Sequence, residues 1–344
     1  MTTFFSEKLR VVSFLSILVV FYIHAGSSDV YLSGLSVPFA VRACISGMFG
    51  PCAVPMFFTI SGYLFFRNAN VLGDVFRKMV KRVRTLLVPF VIAAVLYPLQ
   101  PVLKELLTGV PSSVDYVGLF REQSFAKTLM CLFVDSGRAM PWAYHLWFLR
   151  DLLIIVALSP CVWYVRKKAG LWSIAVALAL YFLFPRYSFL FGLYFFVAGS
   201  LLLHRLSELS RRWVYVLVAA FLSFAVFRQI YGSVLWPYLR VAEVSLGVSA
   251  LWCVYDLVVS RRFRLASCPV LRLCCPFTFF LYLYHEPLLQ TVLKGISGVL
   301  GGGWPAHALS YLLTPFVVAA LLVGVGWLFR KYAPAVYGIM VGGR

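Results

Sequence analysis

Apolar residues run along this chain in long blocks, broken by short polar and mostly basic punctuation. About 20 consecutive apolar residues suffice for a helix to cross a hydrocarbon layer. Blocks of this kind fall near 9–25, 40–66, 85–107, 146–165, 170–184, 188–204, 213–230, 235–258, 275–295 and 306–329. The pattern predicts an all-α fold, a polytopic transmembrane helix bundle of about ten spans. The fifth and sixth blocks are the shortest and lie closest together. The longest polar connection, 104–145, mixes Asp115, Arg121, Glu122, Lys127, Asp135 and Arg138 with Pro and Gly, and suits a loop outside the membrane. No stretch is long or polar enough for a separate soluble domain, so residues 1–344 are expected to form one integral-membrane domain. The first block is longer than the apolar region of a signal peptide and is expected to stay as a span.

Composition agrees with this picture. Of 344 residues, 62% are hydrophobic and 12% charged, with a net charge of +19. Such a charge could suit nucleic acid, but its distribution argues otherwise. Lys and Arg gather in alternate connections: Lys8 and Arg10; Arg67 to Arg84; Arg166 to Lys168; Arg205 to Arg212; Arg261 to Arg272; and Arg330 with Lys331. This is the positive-inside pattern of membrane proteins. With an even number of spans it places both termini in the cytoplasm, with membrane lipids as the surroundings and no nucleic-acid partner. The eight cysteines contain no C-x-x-C pair. They read as small buried residues, and neither a disulfide framework nor a metal site is expected.

Five features could carry chemistry. His24 lies in the first block with Arg10 fourteen residues before it, about 21 Å along a helix and on nearly the same face. An ionisable group inside a membrane is a functional candidate by default, although packing contacts between helices also use such residues. Val54 to Leu64 carries Pro55, Ser61 and Gly62, which should bend the helix and loosen its backbone bonding; a simple kink is the reading physics favours, and a polar cavity wall including Ser61 is the functional one. The run Arg77 to Arg84 includes Lys81, Arg82 and Arg84; it can bind phosphate groups by charge-assisted hydrogen bonds or only set topology. His145 to Asp151 opens a span with Trp147, and adjacent Arg150 and Asp151 are each expected to need a partner from another helix. Finally, Tyr282 to Pro287 places His285 and Glu286 inside a span, where Pro287 leaves the carbonyl near Leu283 without its usual donor. Glu243 and Asp256 are further partners to consider for that pair. No Walker loop, G-x-S-x-G, H-E-x-x-H or dinucleotide fingerprint occurs.

Taken in order, these segments resemble the membrane acyltransferase-three family, the multi-span O-acyltransferases that modify bacterial surface glycans. The residues concerned are Leu9-Arg10 with Val19-Val20 and His24; Phe57 to Leu64; the basic run into Leu86-Leu87-Val88-Pro89; His145-Leu146-Trp147-Phe148-Leu149; Ser159-Pro160; and Leu281 to Pro287. The resemblance implies transfer of an acyl group, usually acetyl, from acetyl-CoA or another short acyl-CoA to a hydroxyl of a glycan or glycolipid, at the bacterial inner membrane. The family's catalytic His falls on His24 and its first-helix Arg on Arg10. The gap between them is close to one helical turn longer here than is usual in the family. The family's R-x-x-R is approximated by Lys81-x-x-Arg84, which keeps charge but not both guanidinium groups.

A glycan hydroxyl is a poor nucleophile, and a neutral imidazole can take its proton during attack on a thioester. Lys81, Arg82 and Arg84 are then the expected coenzyme A contacts, with Ser61, His145, Trp147, His285 and Glu286 shaping the cavity or meeting the acceptor. A transporter or flippase for lipid-linked sugars is the alternative, since broken helices and buried charges suit it too. A non-catalytic scaffold is a third possibility.

Overall fold

The computed structural model describes residues 3–26, 39–109, 124–134, 140–231, 236–259, 267–301 and 303–343. Among them every regular element is a helix. In chain order these are α1 (Thr3–Gly26), α2 (Phe39–Arg42) leading through a π-helical turn (Ala43–Phe49) into α3 (Gly50–Phe66), α4 (Leu72–Thr108), α5 (Phe125–Phe133), α6 (Trp147–Ala157), α7 (Ser159–Ala169), α8 (Trp172–Leu183), α9 (Ser188–Leu206), α10 (Arg211–Tyr231), α11 (Trp236–Val258), α12 (Pro269–Cys274), α13 (Thr278–Tyr284), α14 (Leu288–Leu300), α15 (Trp304–Tyr332) and α16 (Pro334–Met340). Most of the long polar connection predicted at 104–145 lies outside the described residues.

Six of the helical segments are long and apolar enough to cross a membrane: Thr3–Gly26, Ala43–Phe66, Leu72–Leu107, Ser188–Leu206, Leu239–Val258 and Trp304–Tyr332. The chain is therefore a multi-pass membrane protein. Two of the other blocks are broken. The block at 146–165 bends by 62° between Ala157 and Ser159, where Pro160 has no N–H to continue the first helix. The block at 275–295 divides at His285–Pro287 into α13 and α14, again at a proline. The block at 170–184 yields α8, of 12 residues, about 18 Å at 1.5 Å per residue and shorter than a hydrocarbon core.

α1 is the central helix, packed against α3, α14 and α15, with Ile17, Phe21 and Ala25 fully buried. α3 and α9 approach backbone to backbone. A Cβ on Gly62 would collide with the Phe196 carbonyl, and one on Gly199 with the Thr59 carbonyl. Small residues permit this close packing where no hydrophobic force drives helices together in lipid. Gly62, expected to loosen the helix, thus serves helix contact, within an unbroken α3.

At its basic end α1 is fixed by Lys8. This side chain is fully buried, with Nζ 2.5 Å from Asp256 Oδ2 and 3.2 Å from Ser207 Oγ, and 3.9 Å above the Trp252 ring. Asp256 therefore partners Lys8, and Glu243 partners Arg228; neither joins the pair at His285 and Glu286. Arg150 and Asp151, expected to look elsewhere, bind each other through Nε at 3.0 Å and Nη2 at 2.8 Å to Oδ1. The flexible Arg150 side chain folds back on its neighbour and still reaches Ser188 Oγ on α9, at 3.1 Å.

Candidate active site

The break after α13 generates the site. A proline cannot donate to the preceding turn, so carbonyls at the end of α13 need other donors. Two imidazoles supply them: His145 Nε2 lies 3.2 Å from the Leu283 carbonyl, and His285 Nδ1 lies 2.9 Å from that of Tyr282. Each imidazole thereby donates from one nitrogen and keeps a lone pair on the other. Among the described residues, His145 Nδ1 and His285 Nε2 are buried with no hydrogen-bond partner. Tyr282 closes the arrangement by donating from its hydroxyl to the His145 carbonyl, at 2.9 Å.

His24 stands beside this pair, in the last turn of α1. Its ring centroid lies 5.1 Å from that of His285, which in turn lies 5.0 Å from that of His145. Its Nδ1 is 3.9 Å from Glu286 Oε1. The same carboxylate oxygen accepts from the Tyr144 hydroxyl at 3.0 Å and from Gln290 Nε2 at 3.3 Å. Gln290 Nε2 also donates to the His24 backbone carbonyl, at 3.2 Å. Four elements thus meet within a few ångströms: the end of α1, the turn Tyr144–Leu146 before α6, the break at His285–Pro287 and the first turn of α14.

Donor atoms of His24, His285 and Glu286 lie within 4.8 Å of one another. By ligand type these three could hold a divalent cation.

Below the cluster, towards the basic end, is a cavity of about 240 Å³. Ser61 and Phe57 of α3, Phe148 and Val156 of α6, Arg82 of α4 and Tyr282 of α13 all line it. At the end shared with a basic vestibule is Arg82. At the other are Phe148 and Tyr282, rings 5.4 Å apart, with Tyr282 in contact with His145. Lys81, Arg82 and Lys78 also line a vestibule of about 360 Å³ that shares Leu64, Phe65 and Arg82 with the cavity. Lys78 Nζ is held by the Phe65 and Arg67 carbonyls.

The structure therefore brings together His24, His145, His285 and Glu286, and puts Ser61 and Arg82 on the cavity below them. Trp147 is half-buried, at the start of α6 beside His145. Arg84 lines a different groove with Arg77 and Val80; two residues beyond Arg82 on a helix, it points about 200° away. Arg10 is exposed and lies within electrostatic reach of Cys275, before α13. It is one turn from Ser13, which lines the cavity. Sequence reasoning missed Tyr144, Gln290 and Tyr282. The signal for Gln290 was present, as an amide four residues after Glu286, one helical turn along the chain.

Comparison with known proteins bears on what the site does. A family model described as an acyltransferase domain, Acyl_transf_3, matches residues 9–330. The chain is 26% identical over 311 residues to the succinoglycan biosynthesis protein ExoH of Rhizobium meliloti (strain 1021), covering 85% of this chain and 79% of that protein. No solved structure matches.

Proposed function

Since the chain belongs to this acyltransferase family, whose model spans nearly all of it, and is an acyltransferase, we propose that it moves a short acyl group, most simply acetyl, from cytoplasmic acyl-CoA to a hydroxyl of a cell-surface glycan or its lipid-linked precursor. The bacterial inner membrane is its place in this reading, with both termini in the cytoplasm, about ten crossings including the broken ones, and one catalytic domain. The glycan acceptor is supported by a relative named for the biosynthesis of succinoglycan.

The observation that carries the reading is a basic vestibule that shares Leu64, Phe65 and Arg82 with the cavity, whose lining residue Tyr282 bonds to His145 of the imidazole cluster. Coenzyme A is anionic at one end and carries its thioester on a slender arm. Lys81 and Arg82 at the vestibule suit its phosphates through charge-assisted hydrogen bonds, and Arg10 stands one turn from the cavity wall at Ser13. The apolar cavity then suits the arm. Along α6 it runs from Val156 to Phe148, about 12 Å at helical rise, and ends under the His145–His285 pair. Phe148 and Tyr282 close that end, so their rings must part for the thioester to reach His24.

His24 acts as general base in this mechanism. With Nδ1 towards Glu286, its Nε2 takes the proton of the acceptor hydroxyl. The hydroxyl oxygen forms a bond to the acyl carbon, the C–S bond breaks, and the proton passes from the imidazolium to the departing thiolate. The lone pairs at His285 Nε2 and His145 Nδ1 offer acceptors for the acceptor substrate's hydroxyl groups.

The test is transfer of label from radiolabelled acetyl-CoA into total glycolipid, in membranes holding matched amounts of wild type, His24→Ala and Arg10→Ala. Label in glycolipid with wild type and none with His24→Ala is the expected result. Equal labelling by both refutes the base. A transporter of lipid-linked sugars would leave the thioester intact throughout.

A further inference from the structure

Glu286 is held in an unusual way. Its Oε1 accepts from Tyr144 at 3.0 Å and from Gln290 at 3.3 Å while facing His24 Nδ1 at 3.9 Å. The second proton of the Gln290 amide goes to the His24 backbone carbonyl. One amide therefore ties the carboxylate to the very turn that carries the imidazole.

The bland role of Gln290 is to cap α1. The last carbonyls of a helix lack intrahelical partners, and α1 ends at Gly26, so the His24 carbonyl needs a donor. That role explains one contact but gives no reason for the other. The contact with Glu286 does nothing for α1, and Tyr144 reaches the same oxygen from a different element. Two donors converging on one carboxylate oxygen, beside an imidazole, fit a carboxylate whose placement matters.

We propose that Gln290 and Tyr144 are positioning residues that hold the Glu286 carboxylate against His24, where it orients the ring and stabilises the imidazolium formed as the acceptor hydroxyl is deprotonated. The inference rests on the reading of His24 as base. A carboxylate behind a catalytic imidazole fixes its tautomer and balances its transient charge. The 3.9 Å gap is longer than a hydrogen bond, as resting catalytic contacts often are, and closes when the imidazole gains its proton. Glu286 follows the break at His285, with Gln290 in the next turn, so this part of the clamp is built from one short stretch of chain. Only Tyr144 and His24 come from elsewhere.

A double-mutant cycle separates the clamp from the cap. Acetyl transfer from radiolabelled acetyl-CoA to total membrane glycolipid is measured for wild type, Gln290→Leu, Glu286→Gln and the double variant, with His24→Ala alongside and unfolding temperatures recorded. Gln290→Leu is expected to lower kcat about tenfold, less than the roughly 10²–10⁴-fold of losing the base itself, with KM for acetyl-CoA unchanged. In the Glu286→Gln background the same substitution should cost nothing further, because its partner's charge has gone. Tyr144→Phe, which removes one oxygen, should follow the same pattern and carries the cycle if Gln290→Leu does not accumulate. Equal losses in both backgrounds would make Gln290 a helix cap only, and full activity of both Gln290→Leu and Tyr144→Phe would end the proposal while an inactive His24→Ala kept the base. An active His24→Ala would remove the base itself, and the clamp with it.

Discussion

Two polar groups are buried against α1, one near each end, and they are built differently. At the basic end, Lys8 meets a carboxylate, a hydroxyl and an aromatic face at once. At the other end, His24 stands beside two imidazoles that keep buried nitrogens without partners among the described residues, and it faces its carboxylate at a distance too long for a hydrogen bond. Buried polar groups in folded proteins are nearly all satisfied, and exceptions call for an explanation. The saturated set fixes one helix to another. The incomplete set has room for bonds that a substrate can make.

The contrast is broken most directly by exchanging the expected losses. His24→Ala should reduce acyl transfer by about 10²–10⁴-fold, the range for loss of a general base, while leaving the unfolding temperature close to that of wild type. A transfer assay with a parallel thermal melt decides it.

Lys8→Ala should do the reverse. It leaves Asp256 without its cation, and breaking such a pair costs about 3–5 kcal/mol when fully buried; Asp256 is a quarter exposed, so the lower end applies. The folded fraction in detergent should drop, with kcat per folded molecule retained. Asp256→Asn in the same chain should recover much of the loss, and a failure to do so would show that Lys8 contributes through Trp252 instead.

Arg82→Gln tests the cavity between the two ends. Loss of one charge-assisted contact with phosphate is worth about 1.5–3 kcal/mol, so KM for acetyl-CoA should rise roughly tenfold or more with little change in kcat. Arg84→Gln, on the groove away from the cavity, should alter KM far less. Similar shifts for both would move the donor site out of the vestibule.

Removal of divalent cations should have the smallest effect. His24, His285 and Glu286 could hold a cation, but general-base catalysis needs the His24 imidazole to accept a proton, which a bound cation would oppose. Treatment of the purified protein with a strong chelator should leave transfer unchanged. Loss of activity restored by added zinc would reassign the cluster as a metal centre.

Much of the helical architecture can be read directly from the apolar blocks, because in lipid every backbone polar group must be satisfied within its own helix. The basic runs fall in the connections between blocks because charged side chains are costly inside hydrocarbon. His24, His285 and Glu286 stand out in sequence because ionisable groups are rare and costly among such residues. The orphaned carbonyl near Leu283 also follows from Pro287 alone.

The sequence did not reveal which polar residues meet. Nothing in the spacing of Lys8 and Asp256, 248 positions apart, distinguishes their union from a pairing of Asp256 with His285. Nor does local pattern announce that His145 donates to Leu283, or that Tyr144 and Gln290 converge on one oxygen. Periodicity determines which face of a helix is apolar and where a proline must interrupt it. The choice of neighbour for each buried donor and acceptor is settled by helix packing, down to the glycines that let α3 and α9 touch. The sequence by itself therefore determined a helical membrane protein with ionisable groups inside it; the tertiary structure decided that one set is saturated and the other left with open lone pairs, because hydrogen bonding across helices depends on distances that no single helix contains.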